Sequence, residues 1–103
     1  MDVTLLYFDD CPSWQVAAGH LELLSQGDAD IEVNRVIVDT PEAAEEYGFG
    51  GSPSFHVNGH DLFAAHDAPV GLACRIYQTP AGPAGSPTLE QLREALAGAT
   101  TSL

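Results

Sequence analysis

Val3-Thr4-Leu5-Leu6-Tyr7-Phe8-Asp9-Asp10-Cys11-Pro12-Ser13-Trp14 is the stretch on which the fold turns. Val3 to Phe8 reads as a buried strand, and Asp9-Asp10 breaks it. Pro12 suits the first turn of the helical pattern that follows, because its missing N–H has no partner there anyway. A thiol at such a junction lies near unpaired backbone N–H groups that favour its thiolate. Cys11 is therefore the first candidate for chemistry.

Two effects oppose each other at that thiol. A helix N-terminus favours an anion by about 0.3–1 kcal/mol. Each exposed carboxylate of the Asp9-Asp10 pair, at roughly 7 Å and an effective dielectric of about 60, opposes it by ~0.8 kcal/mol. The expected thiol pKa is thus near, or modestly below, the free value of about 8.5.

Working outward, Pro12 to about Gln26 carries a helical stripe of Trp14, Ala17, Ala18, Leu21 and Leu24, ended by Gly27-Asp28. Ile31 to Val38 is apolar at both parities apart from Asn34 and Arg35, which predicts a strand covered on both faces. Thr40-Pro41-Glu42 opens a short helix with an N-cap, a first-position proline and an acid in the first turn; it ends at Gly48. Gly50-Gly51-Ser52-Pro53 is a turn and Ser54 to Val57 a strand. Asn58-Gly59 predicts a tight hairpin, returning through His60 to Phe63 with Val57 beside His60, His56 beside Asp61 and Phe55 beside Leu62. Ala64 to Ser86, broken by Pro and Gly, is the least readable stretch; within it Val70 to Tyr77 suits a short irregular strand or an ordered loop. Thr88-Leu89-Glu90-Gln91 is a capping box that starts a last helix through about Ala97, with fraying after Gly98.

The expected order is β-α-β-α-β-β-α: an α/β domain with a four-stranded mixed sheet and helices on both faces. At 103 residues the chain is one domain with one core, and 45% hydrophobic residues suffice without a disulfide framework. Fifteen Asp and Glu stand against three Arg, giving a net charge of −12. That charge repels phosphate backbones and anionic membranes, so no nucleic-acid or membrane partner is expected. The absence of a long apolar run or of a basic, signal-like N-terminus makes cytoplasmic the default expectation.

The Cys11-Pro12-Ser13-Trp14 junction, the Gly51-Ser52-Pro53 turn before a strand and the Asn58-Gly59 hairpin make the chain resemble the thioredoxin-like family. More narrowly, FDDCPSW, GFGGSPSF, GLACRIYQTP and SPTLEQLREAL resemble small bacterial thioredoxin-like proteins labelled alkylmercury lyase-related. The resemblance implies a single thioredoxin-like domain over residues 1–103, ordered from about 2 to 98. It also implies a cis proline at Pro53 beside the active-site sulfur. The fourth position of the motif departs from the family's second cysteine: it is Trp14, so no Cys11–Trp14 disulfide can form.

Cys74 then has two readings, a small hydrophobe buried in a strand or a second thiol folded back near Cys11. In the second case Cys11 attacks a disulfide or mixed disulfide, Pro53 and Ser52 shape the approach with Trp14 and Asp10 close by, and Cys74 resolves. The partner is a protein or small-molecule thiol or disulfide, and no cofactor is required. The alternative is a soft-metal site, mercury above all, made of Cys11, Cys74 and Asp9 or Asp10. Organomercurial lyases use two thiols and a carboxylate, and the mapping extends to those residues alone. His56, His60 and His66, with Asp61 and Asp67, make a weaker metal candidate than a plain His56–Asp61 cross-strand pair. Trp14 suits core packing by its place on the stripe, and Arg75 suits pairing with an acid.

Overall fold

The opening run becomes β1 (Asp2–Tyr7), and its apolarity has a direct cause: β1 is an inner strand with neighbours on both sides. The computed structural model describes residues 1–28, 30–63, 72 and 74–101, with 99–101 by backbone alone. β2 (Glu32–Ile37) runs parallel to β1, from Asp2 opposite Glu32 to Tyr7 opposite Ile37. β3 (Ser54–Val57) runs antiparallel on the other side, with Leu5 opposite Phe55 and Leu6 opposite Ser54. β4 (His60–Asp61) completes a mixed sheet of order β2-β1-β3-β4. Asn58 (φ 55°) and Gly59 (φ 80°) make the hairpin turn, and the pairs are His56 with Asp61 and Val57 with His60, as expected.

The period-2 alternation of β1 and β3 divides the core between two faces. On one, Val3, Leu5, Phe55 and Val57 meet Ala17 and Leu21 of α1 (Ser13–Gly27) and Leu92 and Leu96 of α3 (Leu89–Thr101). On the other, Leu6 meets Val38, Phe49 and Ala44 of α2 (Pro41–Tyr47). Helices therefore cover both faces. α2 is framed by its local signals: the Thr40 hydroxyl accepts from Ala43 N–H at 3.1 Å, and Gly48 (φ 65°) caps the other end in the left-handed region. α3 opens on a reciprocal box, Thr88 N–H to Gln91 Oε1 at 3.0 Å and Gln91 N–H to Thr88 Oγ1 at 3.1 Å.

Four expectations need correction. β2 is not covered on both faces: it ends the sheet, and Glu32, Asn34, Arg35 and Ile37 are exposed. Its apolar residues at both parities divide between the two clusters, Val33 into one and Val36 into the other. A second hairpin, β5 (Tyr77–Thr79) with β6 (Gly82–Ala84), stands between β4 and α3, so the order holds two strands more than expected. α3 runs through Gly98 to Thr101 rather than ending near Ala97. Trp14 joins neither core cluster. Of the irregular segment, residues 64–71 and 73 lie outside the described residues, and Cys74 forms an isolated bridge.

Candidate functional site

Past the end of β1 the chain turns sharply. Cys11 N–H donates to Phe8 C=O at 3.0 Å, which leaves Asp9 and Asp10 exposed on the outside of the turn and Cys11 buried, 2% exposed. Pro12 (φ −63°, ψ −13°) leads straight into α1, whose N-terminus has no side-chain cap and no acidic residue in its first turn. Trp14 N–H and Gln15 N–H instead donate to the Cys11 and Pro12 carbonyls, at 3.3 and 3.1 Å. The start of α1 is also closely packed from outside: a Cβ on Gly85 would lie 2.1 Å from Ser13 Oγ.

The turn before β3 meets this junction from the side. Gly51 has φ 117°, the Ser52–Pro53 peptide is cis, as expected, and both Ser52 and Pro53 are fully buried. The Ser52 hydroxyl accepts from Phe8 N–H at 2.9 Å and donates to Phe8 C=O at 3.4 Å, so it holds the end of β1 three residues before the cysteine. On its other side Ser52 pairs with Cys74 in a parallel bridge, and its C=O accepts from Arg75 N–H at 2.9 Å. Ser52 thus links the two cysteine-bearing segments. Cys11 and Cys74 form a disulfide, Cα–Cα 5.8 Å, across a sequence separation of 63. Cys74 is exposed, which rules out its reading as a buried hydrophobe.

What holds residues 74–77 in place was only partly legible. Arg75 Nη1 donates to Asp61 Oδ2 at 2.6 Å and to Ser54 Oγ at 3.2 Å, while Nη2 donates to the Phe63 carbonyl. The side chains of Arg75 and Asp61 are 10% and 15% exposed, so this is a largely desolvated ion pair. Arg75 also lies over the Tyr77 ring, 4.8 Å from its centroid. Tyr77 was not anticipated. Its hydroxyl donates to the Pro53 carbonyl at 2.5 Å and its ring meets Phe55 and Phe63 edge to face. Burial pushes the Tyr77 phenol up, against the opposing pull of Arg75.

Trp14 stacks on Tyr7, ring centroids 4.4 Å apart, with the Arg35 guanidinium 5.9 Å from its centroid. Its indole N–H is buried with no hydrogen-bond partner among the described residues. Trp14 therefore sits at the Cys11 end of the sheet, on the aromatic that closes β1. The stripe position that suggested core packing is real, but it is the first turn of α1 and overhangs the end of the core.

The histidines divide: His56 and Asp61 pair across the strands as expected, while part of the weaker metal candidate lies outside the described residues. His56 faces Asp61 in register, yet the Asp61 carboxylate is engaged by Arg75 and by Phe63 N–H at 2.8 Å. His56 is 7% exposed and its Nε2 has no partner among the described residues. Burial first, then Arg75 and His60, hold its pKa below 6.5, with Asp61 pulling the other way. His60 is exposed, and His66 and Asp67 lie outside the described residues. Among the described residues no group of three or more His, Cys, Asp or Glu is arranged to hold a metal ion.

A groove of about 810 Å³ opens at the other end of the sheet, lined by Met1, Leu23, Leu24, Ile31 and Leu96 among others. It lies at the start of β1 and the disulfide lies past its end, so the groove is not part of the thiol site. Among the described residues no helix is long and apolar enough to cross a membrane. Comparison of the chain with protein-family models, with curated proteins and with solved structures found no match.

Proposed function

We propose that this chain is a thioredoxin-like thiol protein that works by thiol–disulfide exchange, with Cys11 and Cys74 as its redox pair. The observation that carries the reading is the Cys11–Cys74 bond beside the cis Ser52–Pro53 turn. Trp14 occupies the motif position where the family's second thiol stands, and Cys74 supplies that thiol from a distant segment. The strand–turn–helix around Cys11 and the mixed sheet between α1 and α2 support the same reading. The partner is a small-molecule or protein thiol or disulfide, and the net charge of −12 favours a neutral or basic protein surface over an acidic one. In a reducing cytoplasm such a disulfide is transient and catalytic rather than a structural staple.

The test is alkylation of both cysteines across pH, followed by mass spectrometry, before and after mild oxidation. Protection of Cys11 and Cys74 together, as one internal disulfide that a dithiol reverses, supports the reading. An inert pair that never forms a disulfide leaves a scaffold without thiol chemistry. The adjacency of the two sulfurs also favours a second reading: once reduced, the pair can bracket a soft cation such as Hg(II). Titration of the reduced protein with Hg(II) should then give a thiolate-to-metal charge-transfer band and release protons. A protein in which this band develops, but which shows no exchange with thiols, belongs to that second class.

A further inference from the structure

The two sulfurs of the site are not equivalent. Cys11 is 2% exposed, beneath the turn that Phe8 closes, whereas Cys74 is exposed on a segment that meets the fold edge-on at Ser52. A thiolate attacking a disulfide must reach one sulfur from outside, on the line of the S–S bond, and expel the other. Access selects the direction. Attack on Cys74 expels Cys11, two residues before the 15-residue α1, where the helix dipole favours the departing thiolate and the exposed Asp9 and Asp10 oppose it. Attack on Cys11 would require uncovering a residue that is 2% exposed inside its turn. It would also expel a Cys74 thiolate whose neighbouring cation, Arg75, is committed to Asp61, Ser54 and the Phe63 carbonyl.

Resting on the exchange reading above, we infer that Cys74 is the entry sulfur and Cys11 the resolving one. This is the reverse of the order that the sequence suggests. In the forward step the thiolate of a monothiol bonds to Cys74 Sγ, the Cys11–Cys74 bond breaks, and its electron pair leaves on Cys11 as thiolate. In the reverse step the Cys11 thiolate attacks Cys74 Sγ in that mixed disulfide, re-forms the internal bond and releases the monothiol as its thiolate. One disulfide is consumed and one is formed in each direction, so no further oxidant or reductant enters. Cys74 is thereby the position that exchanges with the partner, and residues 74–77, with the cis-proline turn, form the surface a partner thiol meets.

The experiment compares the reduced Cys11→Ser and Cys74→Ser variants in their reaction with 5,5′-dithiobis(2-nitrobenzoate) at neutral pH. In parallel, oxidised wild-type protein is mixed with glutathione, quenched with acid and mapped by mass spectrometry. The Cys11→Ser variant, whose remaining thiol is Cys74, should react about tenfold faster or more than the Cys74→Ser variant, since thiol access governs the rate. The glutathione adduct should map to Cys74. Equal rates, a faster Cys74→Ser variant or an adduct on Cys11 would overturn the assignment. If either variant fails to fold, the wild-type map decides alone. Failure of the underlying redox reading is separate: there the wild-type protein forms no internal disulfide, while the order of the two variant rates still says which sulfur is open to attack.

Discussion

Cys11 and Cys74 reach one bond from opposite kinds of structure. Cys11 is held by its own neighbours: a strand, a turn closed by Phe8 and a helix that starts two residues later. Cys74 belongs to no strand or helix, and its segment is fixed by partners far away in the chain, Ser52, Asp61 and Phe63. One cysteine is placed by local geometry and the other by tertiary contacts. The difference says which half of the site will give way first when a single contact is removed, and four measurements put this to work.

The largest effect is expected from Asp61→Ala, which leaves the Arg75 guanidinium buried and unpaired. Unfolding stability should drop by about 3–5 kcal/mol in urea titration. In hydrogen exchange of the native state, the Arg75 amide bonded to Ser52 should lose protection well before the Cys11 amide bonded to Phe8. Equal loss at both would erase the contrast between the two segments. The double variant Asp61→Leu with Arg75→Met should recover part of the stability, because it removes both charges together.

Reduction comes next. The disulfide closes a separation of 63 residues, and the loop-entropy treatment assigns such a closure about 4 kcal/mol, with 2–4 typical of measurement. Comparing urea midpoints of oxidised and reduced protein measures it directly. If Arg75 anchors its segment independently, the Arg75 amide keeps most of its protection after reduction, and only Asp61→Ala releases it.

A smaller change tests an element remote from both cysteines. Thr88→Ala removes one half of the α3 capping box and should cost about 1 kcal/mol, with no change in the reactivity of either thiol. An altered thiol rate would couple α3 to the site.

The smallest and most specific effect concerns His56. Its pKa is lowered in the folded protein, so below 6.5 the unfolded chain binds a proton that the folded chain does not. Stability therefore rises with pH through the window from the folded pKa up to 6.5 and falls on acidification below 6.5. His56 contributes at most about 1.4 kcal/mol per pH unit inside that window. His56→Gln should remove this contribution, seen as a shallower acid limb in a series of thermal melts. An unchanged limb would mean that His56 titrates normally.

How much of this was legible follows the same local-versus-distant divide. The α2 caps at Thr40 and Gly48, the Asn58-Gly59 turn and the Thr88–Gln91 box each declare themselves within a few residues, and each stands where the sequence put it. Ser52 and Pro53 were legible only through a resemblance, since nothing in a Gly-Ser-Pro turn by itself selects a cis bond. β2 was misjudged because apolar residues at both parities do not tell an inner strand from an edge strand with two half-covered faces. β5 and β6 escaped because Pro80 and Pro83 read as breakers, although a two-stranded hairpin tolerates proline where no ladder hydrogen bond is required of it. Arg75 and Tyr77 were silent for a different reason. A guanidinium and a phenol reveal nothing until the carboxylate and carbonyl they serve have been brought to them by the fold.

Gly85 and Ser13 share one volume. The glycine is not there for an unusual backbone angle; it is there because the serine side chain already fills the space a methyl group would need. Shortening Ser13 to alanine would not free that space, since its own Cβ lies 2.8 Å from the position a Cβ at 85 would take. Among functional variants drawn from a library randomised at both positions, alanine at 85 should thus occur only in company with glycine at 13. The two sites, 72 residues apart in the chain, will co-vary as a pair.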